Sequence, residues 1–334
     1  MDKGRDAPQS SRVDSFVILT DAEVNALARM PDLVAVIVRC LEAKAQGRLV
    51  APPRHSVAFD SGQLVFTIGG IDAGGDERAG IAGFRVYETF RGSGAARAQL
   101  VAVWDSVSGD LRGLVIGEAL GILRTGAIGG VAIDRMARPD VRICAVIGSG
   151  QQAESQVMAA VAVRPGLEEI RIYSRNAGNR EGFAARVSAR LGKAIRPVAT
   201  ARDAVAGADL VLCATDSGAP VLETHWLARG AHVSTLGPKL ADRHELPRDI
   251  GDLADVAATD SPAQLQGYSA PYFLEGTRAV TQMLDLADIV AGRAVGRRNP
   301  ADITLFCSVG LAGTEVAVAD ALLRRSAVAR AKRE

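Results

Sequence analysis

The chain has 334 residues, enough for two domains of ordinary size, and 48 % of them are apolar. Its 39 basic and 38 acidic residues nearly cancel, leaving a net charge of +1, which gives no reason to expect a nucleic-acid or anionic-membrane surface. The polar start, residues 1–12, lacks the apolar core of a signal peptide, and no apolar run has the roughly 18 residues that span a bilayer. We therefore expect a soluble, cytoplasmic protein that binds neither nucleic acid nor membrane.

The cysteines and histidines show no metal-binding pattern. Cys40, Cys144, Cys213 and Cys307 are far apart without a C-x-x-C pair, and the four histidines include no H-E-x-x-H pattern. We expect the cysteines to be small buried hydrophobic residues in a reducing compartment, and we predict no metal.

The first third of the sequence predicts an α+β unit. The run "SFVILT" predicts a short strand, and Thr20 and Glu23 then have the T-x-x-E spacing of a capping box at the start of a helix. Apolar residues at helical spacing predict a second helix over about 32–45. From 50 to 117, short runs rich in Val, Phe, Ile and Tyr are punctuated by Gly or Asp, which predicts an antiparallel sheet.

The remainder predicts an α/β unit. Residues 118–138 predict a long helix, and its several glycines indicate close helix packing or close approach to a ligand. From 141 onwards short apolar strands alternate with helices, as in a parallel sheet with right-handed crossovers, and the segment "ITLFCSVGLAGTEVAVADALLRR" predicts a strand, a turn and a final helix. The predicted fold class is α/β, a Rossmann-type doubly wound parallel sheet joined to the α+β unit, with a ligand cleft between them.

Residues 145–156, "AVIGSGQQAESQ", predict a dinucleotide-binding turn. Gly148, Gly150 and Ala153 fit the G-x-G-x-x-G/A pattern, with Ser149 between the two glycines. A strand of buried type precedes the pattern, a helix follows it, and a second strand comes at βαβ distance, which is the context that the fingerprint requires. Gly148 permits the tight turn, and Gly150 lets the backbone approach a pyrophosphate attracted by the helix N-terminus.

The end of the following strand bears on the choice of cofactor. NAD sites usually place a carboxylate there to bind the ribose 2′-hydroxyl, whereas this chain has Ser174, Arg175 and Asn176. Because no carboxylate repels a 2′-phosphate there, and because Arg175 can pair with one, the sequence favours NADP(H) over NAD(H). NAD(H) stays open as the alternative.

Five segments along the chain carry a resemblance to a known family: "PPRHSVAF", "LRTGAIGGVA", "VIGSGQQAESQ", "GAHVSTLGPKLADRHEL" and "ITLFCSVGLAGTEVAVA". From about Leu19 to about Leu323 the chain resembles the ornithine cyclodeaminase/μ-crystallin family of NAD(P)-dependent proteins. The resemblance implies a homodimer. It also implies a substrate-binding and dimerisation domain over 1–125 and 312–334, and a Rossmann NAD(P)-binding domain over 126–311.

The resemblance also implies roles for individual residues. Arg54 in "PPRHS" matches the arginine that binds the substrate carboxylate, a task for which the planar fork of a guanidinium is suited. A further ten residues match positions at the cofactor or at its junction with the substrate: Arg124, Thr125, Gln151, Gln152, Thr215, Leu236, Gly237, Pro238, Ser308 and Val309.

Two positions depart from the family pattern. The family's substrate-site lysine is Arg85 in this chain, which still anchors a carboxylate but cannot readily exchange a proton. Lys239 stands where cyclodeaminases carry an aspartate that handles protons and holds the substrate amine. A lysine there would repel an ammonium-bearing substrate and could attract a second carboxylate. It is the predicted proton donor, provided that its pKa is lowered.

These features predict an NAD(P)H-dependent oxidoreductase that acts on the C–N bond of an amino acid, or on the corresponding cyclic or linear imine. Arg54 and Arg85 would clamp the carboxylate of this small molecule. One alternative is an ornithine or lysine cyclodeaminase that recycles bound NAD, against which the missing aspartate argues. The other is a non-enzymatic NADPH-dependent binding protein, as some crystallins are.

Overall fold

Two β-sheets organise the chain, one mostly antiparallel and one entirely parallel. The computed structural model describes residues 16–74, 80–91, 99–268 and 270–331, so the polar start at 1–12 lies outside the described residues. Each sheet anchors a structural unit. We call them the first unit and the second unit.

The first unit is built from the N-terminal part of the chain and the last helix. Its strands are β1 (Val17–Leu19), β2 (Leu49–Val50), β3 (His55–Phe59), β4 (Gly62–Ile71), β5 (Ile81–Glu88), β6 (Leu100–Asp105) and β7 (Leu111–Ile116). Its helices are α1 (Asp21–Leu27), α2 (Met30–Ala45) and the C-terminal α11 (Thr314–Ala331), while α3 (Ala119–Met136) leads to the second unit.

The first sheet has the order β1-β7-β6-β5-β4-β2, with β3 paired to β4. All its pairs are antiparallel except β1 with β7, so the predicted antiparallel sheet gains one parallel edge strand. The predicted capping box forms at α1, where the backbone N–H of Thr20 donates to the Glu23 carboxylate at 2.8 Å. One face of this sheet packs against α11, and α2 joins the same core.

The other face of the first sheet is apolar and open. One row of paired residues crosses five strands on it and consists of Ile68, Phe84, Ala102, Leu114 and Ile18. Ile68 is 55 % exposed and Ile18 is 43 % exposed. Large exposed apolar patches are typical of interaction sites.

The second unit contains the parallel sheet. Its strands are β8 (Ile143–Ile147), β9 (Glu169–Tyr173), β10 (Ile195–Pro197), β11 (Leu210–Cys213), β12 (His232–Thr235), β15 (Val256–Thr259), β16 (Leu284–Asp285) and β17 (Thr304–Cys307), with the small hairpin β13 (Lys239–Leu240) and β14 (Arg243–His244) outside the sheet. Its helices are α4 (Gln151–Val163), α5 (Ala177–Leu191), α6 (Ala201–Val205), α7 (Ile250–Leu253), α8 (Pro262–Gln266), α9 (Arg278–Thr281) and α10 (Leu286–Val290).

The strand order of the second sheet explains where a ligand can bind. The order is β10-β9-β8-β11-β12-β17-β15-β16, and every pair is parallel. Because the chain runs outward from β8 in one direction and then from β11 in the other, the switch point lies between these two strands. Ligands of doubly wound sheets bind in the crevice at the carboxyl ends of such strands.

Helix α3 connects the two units through a seam of glycines. A Cβ atom at Gly126 would collide with Ser155 of α4, and one at Gly129 would collide with Gln156. Ser155 Oγ and Gln156 Nε2 instead donate to backbone carbonyls of α3, at 2.9 and 3.1 Å. The glycines therefore serve close helix packing. The predicted domain boundary at 125/126 falls inside this helix.

Other sequence expectations concern the cysteines, metals and membranes. All four cysteines are buried and unpaired. In the part of the chain that the structure describes, no group of three or more metal-ligating side chains occurs. Within the same ranges, none of the helices combines the length and the apolar character needed to cross a membrane.

Candidate active site

Two adjoining cavities lie between the units. A cleft of about 1110 Å³ opens at the carboxyl ends of β8, β9, β11 and β12, and we call it the large cleft. A cavity of about 210 Å³ lies beside it, and we call it the small pocket. Six residues line both cavities and form their junction: Arg85, Tyr87, Arg124, Thr125, Gln152 and Leu236.

The glycine-rich turn after β8 forms a cradle in the large cleft. Gly148 has a φ of +108°, and a Cβ atom there would collide with the carbonyl oxygen of Ala214 at the end of β11. Gly150 caps α4, and the space where its Cβ would lie is open. Ser149 and Gln151 line the cleft beside it. Because the first amides of a helix have no partner within the helix, this turn fits a pyrophosphate.

Unpartnered polar atoms at the junction also indicate a polar ligand. Arg124 Nε, Gln152 Oε1 and, in the small pocket, Thr67 Oγ1 are buried without a hydrogen-bond partner in the described part of the chain. Such buried groups are unfavourable unless something binds them. Together with the cradle, they make the large cleft fit a dinucleotide whose reactive end reaches the small pocket.

The far end of the large cleft is lined by Ser174, Arg175 and Asn176 at the end of β9. Arg175 is exposed, whereas Arg180 on α5 donates from Nη1 to the carbonyl of Ser174 at 3.0 Å. Asn176 caps α5 by accepting from the backbone N–H of Asn179 at 3.0 Å. Two guanidinium groups thus lie close in sequence to a helix N-terminus, an arrangement that suits an anion.

A buried carboxylate organises the middle of the large cleft. Glu245 is fully buried and accepts from the backbone N–H and the hydroxyl of Thr215 at 2.9 and 2.8 Å. It also accepts from the Thr235 hydroxyl at 2.6 Å and from the backbone N–H groups of Leu236 and Gly237 at 2.9 and 2.5 Å. Five donors on one carboxylate fix the turns after β11 and β12, so Thr215, Leu236 and Gly237 form one rigid wall.

Arg54 lies in the small pocket and is held by the second unit. Its backbone N–H and its Nε both donate to Gln264 Oε1, at 3.1 and 3.2 Å. Its Nη2 donates to the carbonyl of Val309 at 2.7 Å, and its Nη1 lies 3.5 Å from the Tyr87 hydroxyl oxygen. These contacts orient the guanidinium and leave Nη1 the weakest bound of its nitrogens.

The Val309 turn is itself held by a buried aspartate at the end of β15. Asp260 accepts from the backbone N–H groups of Val309 and Gly310 at 2.8 and 3.0 Å, and from the Ser308 hydroxyl at 3.3 Å. One short segment, 260–264, therefore positions Arg54 twice, directly through Gln264 and indirectly through the Val309 carbonyl.

Arg85 and Arg124 share a buried carboxylate at the start of α11. Glu315 is 2 % exposed, and its Oε1 lies 2.5 Å from Arg124 Nη2 and 3.4 Å from Arg85 Nη1. Arg85 is bound further by Gln99, and its Cζ lies 4.5 Å from the centre of the Tyr87 ring. Burial lowers the pKa of the Arg85 guanidinium, and the neighbouring Arg124 cation lowers it further. The junction therefore holds two fixed cations against one anion.

Lys239 and Pro238 line neither cavity. The Lys239 side chain is buried, and its Nζ donates to the carbonyl of Gly237 at 2.8 Å. Burial lowers the pKa of this ammonium, as the sequence-based hypothesis requires, and Glu245 opposes the shift. The carbonyl that Nζ contacts belongs to Gly237, which lines the large cleft, and the role of Lys239 as proton donor stays a prediction. The residues that line both cavities are further candidates.

Sequence reasoning missed several residues of this site: Tyr87, Gln99, Glu245, Asp260, Gln264 and Glu315. Glu245 and Glu315 lie inside segments that carry the family resemblance, which was the available signal. Asp260 and Gln264 lie outside those segments. They act on Arg54 and on the 308–310 turn, which are far away in the sequence.

Comparison with known proteins identifies the family of this chain. Residues 15–329 match the sequence model described as "Ornithine cyclodeaminase/mu-crystallin family". The chain belongs to this family. The match confirms the resemblance drawn from the sequence, and it covers both structural units.

Relatives of known activity match along nearly the whole chain. A Delta(1)-pyrroline-2-carboxylate reductase of Bacillus cereus is 28 % identical over 316 residues, 93 % of this chain and 97 % of the relative. An alanine dehydrogenase of Archaeoglobus fulgidus is 26 % identical over 91 % of this chain and 92 % of the relative.

A solved structure supports the fold. The Thermococcus litoralis Delta(1)-pyrroline-2-carboxylate reductase in complex with NADH and L-proline superposes with a TM-score of 0.80 at 26 % identity, covering 93 % of this chain and 97 % of that one. The predicted α/β fold class, a doubly wound sheet with a second α+β unit, is confirmed.

Proposed function

We propose that this protein is an NAD(P)H-dependent reductase of imines that carry a carboxylate next to the C=N bond, with cyclic imino acids as the preferred class. The observation that carries the proposal is the junction. The cradle for a dinucleotide and the pocket with three arginines share six lining residues, so a nicotinamide and a carboxylate-bearing substrate can meet there. The pyrroline-2-carboxylate reductases of Bacillus cereus and Thermococcus litoralis, to which the chain is similar, are named for this class of compound.

The chain's own residues provide binding and orientation. A reduced dinucleotide, when bound, supplies a hydride to the imine carbon. The turn from Gly148 to Gln152 would hold its pyrophosphate, and the wall formed by Thr215, Leu236 and Gly237 would hold the nicotinamide half. Arg54, together with Arg85 and Arg124 at the junction, would bind the substrate carboxylate and fix the plane of the imine.

A cyclodeaminase activity fits this site less well. That reaction handles a substrate with a second, side-chain amine, which is protonated at neutral pH. The residue at the corresponding position is the buried Lys239, and Arg54 and Arg85 are also cations. Like charges in a buried site are unfavourable, whereas an imino acid brings a carboxylate and needs no second amine.

The proposal is tested by following reduced-cofactor absorbance with purified protein. The panel contains pyrroline-2-carboxylate, its six-membered-ring homologue, and pairs of 2-keto acids with ammonia or methylamine. We expect turnover with the cyclic imines first. Proline and ammonia formed from ornithine with catalytic NAD would identify a cyclodeaminase instead. Tight NADPH binding with no consumption across the whole panel would support a non-enzymatic binding protein.

We also propose that the protein prefers NADP(H). The Thermococcus litoralis reductase was solved with NADH, so the preference rests on this chain's own residues. Arg175 lines the large cleft next to Ser174, and Arg180 lies against the same backbone. None of the residues 174–179 is a carboxylate that would repel a 2′-phosphate.

Replacing Arg175 by alanine is expected to raise the Kd of NADPH by about 10-fold to 100-fold and to leave the Kd of NADH unchanged. A hydrogen bond to a charged group contributes about 1.5–3 kcal/mol, which corresponds to this range. Calorimetric titration of both cofactors measures it. Arg190→Ala, which removes an arginine of α5 that pairs with Glu154, is the control. Tighter binding of NADH than of NADPH by the unmodified protein would contradict the preference.

We further propose that the protein is a homodimer in which a second copy covers the open face of the first sheet. The row from Ile68 to Ile18 is apolar, with exposed residues at both ends and the buried Ala102 in its middle, and two such faces can pack on each other about a two-fold axis. Strand β3 is exposed along its whole length, and Arg54 directly precedes it. A second copy there would also cover the rim of the small pocket.

Replacing Ile68 by aspartate is expected to convert the dimer to a monomer, because an unpaired charge would be buried in the apolar interface. Sedimentation velocity at several protein concentrations measures the change. The matched control is Val295→Asp, which places the same charge on an equally exposed valine of the second unit. A dimer that survives Ile68→Asp would place the interface elsewhere.

A further inference from the structure

We propose that Tyr87 donates the proton that completes imine reduction, so that this tyrosine takes the task predicted for Lys239. The inference rests on the proposed function. It names the residue that gives a proton to the imine nitrogen at the same site. The positions of the arginines do not identify this residue.

A proton donor must reach the imine nitrogen, which is bonded to the carbon that takes the hydride, so the candidates are the residues that line both cavities. Of the six residues that do, Leu236 has no polar side chain and Gln152 has no acidic proton. Thr125 already donates its hydroxyl to the carbonyl of Gly121 at 2.9 Å. The arginines Arg85 and Arg124 are engaged with Glu315 and keep their protons under ordinary conditions.

Tyr87 is the remaining residue, and within the described ranges its hydroxyl donates to no protein group. The Tyr87 oxygen lies 3.5 Å from Arg54 Nη1 as an acceptor, so the phenolic hydrogen is not used in that contact. The nearby Thr67 hydroxyl is also unpartnered, but an aliphatic alcohol is a much weaker acid than a phenol. Strand β5 carries Arg85 and Tyr87 two positions apart, and residues two apart lie on the same face of a strand.

The surroundings of Tyr87 suit the charge that proton transfer leaves behind. Arg85 stacks on its ring at 4.5 Å, and Arg54, which lies just before β3 in the same unit, approaches its oxygen. Two cations therefore lie where the negative charge of a phenolate develops, and this lowers the energy of the transfer.

The step balances as follows. The hydride, with its two electrons, forms a C–H bond at the imine carbon, and the π pair of the C=N bond moves to nitrogen. The nitrogen takes the phenolic proton of Tyr87, so an N–H bond forms and the O–H bond breaks. Water then returns a proton to the phenolate. The reduced dinucleotide of the proposed function is the only reductant required.

The variants Tyr87→Phe and Tyr87→Leu separate the hydroxyl from the ring. Phenylalanine keeps the ring under Arg85, so we expect kcat for the cyclic imine to fall by about 100-fold or more while KM changes little, since general acids contribute roughly 10²–10⁴-fold. Leucine removes the ring as well, so KM should also rise. In the unmodified protein kcat/KM should fall at high pH, which is the basic limb of its pH profile. This fall should be absent in Tyr87→Phe. Retention of more than half of kcat in Tyr87→Phe, or of the basic limb, would overturn the inference.

A second readout does not depend on turnover. The difference between the ultraviolet pH titrations of the unmodified protein and of Tyr87→Phe reports the Tyr87 phenolate. Binding of pyrrole-2-carboxylate, a planar and unreactive anion, should move that midpoint to higher pH, because a nearby anion disfavours the phenolate. If the panel of imines shows no turnover, the proposed function fails, and this titration still decides the position of Tyr87. If the midpoint of this pH titration does not change when pyrrole-2-carboxylate binds, the Tyr87 hydroxyl does not face the substrate carboxylate.

Discussion

Replacing Gly148 by alanine is expected to raise the Kd of NADPH at least tenfold and to lower the free energy of unfolding by about 2 kcal/mol. The position has a φ of +108°, where side chains are strained by roughly 1–3 kcal/mol. The added Cβ would also collide with the Ala214 carbonyl. Relief requires β8 and β11 to move apart at their carboxyl ends, which distorts the cradle formed with Gly150.

Cofactor titration followed by fluorescence and thermal unfolding measure the two effects of Gly148→Ala. The matched control is Gly182→Ala in α5, where the space around the added Cβ is open and the backbone is helical. Alanine at Gly182 should leave the Kd unchanged and raise stability slightly, because alanine is a better helix former than glycine. Equal cofactor affinity in Gly148→Ala and the unmodified protein would contradict a pyrophosphate site at this turn.

Replacing Glu315 by glutamine is expected to lower the free energy of unfolding by about 3–5 kcal/mol, the usual effect of removing one partner of a buried ion pair. The Glu315 carboxylate is 2 % exposed and balances both Arg85 and Arg124. Without it two guanidinium groups stand close together and uncompensated. They should move apart, so we also expect a higher KM for the imino acid.

Denaturant unfolding and steady-state kinetics measure the consequences of Glu315→Gln. The control makes the same substitution at Glu181, an exposed position of α5, and should change neither quantity measurably. If Glu315→Gln unfolds like the unmodified protein, the ion-pair arrangement at the junction is wrong.

Local patterns in the sequence predicted much of this molecule. The capping box at Thr20 and Glu23 involves residues three positions apart, and the turn from Gly148 to Ala153 is a continuous segment. Both are decided by short-range geometry, so a sequence pattern is sufficient to find them. The alternation of strands and helices from 141 onwards predicted the parallel sheet for the same reason.

The partners that hold the site together could not be predicted in this way. Gln264 binds Arg54 across 210 positions, and Glu315 binds Arg124 across 191. No short-range spacing marks such pairs, and the family resemblance of the segment around Glu315 does not name its partner. Lys239 illustrates the reverse case. The family pattern gives its place in the chain, but the direction of its side chain is set by the Gly237 carbonyl.

The glycine seam between α3 and α4 limits how the two units can move. Ser155 and Gln156 fill the positions that side chains at Gly126 and Gly129 would occupy, so the helices can neither slide past each other nor separate without breaking this contact. The seam thus fixes the two units to each other along α3 and α4. Arg54 and Gln264 form a second link between the units, so opening of the small pocket requires this hydrogen bond to break.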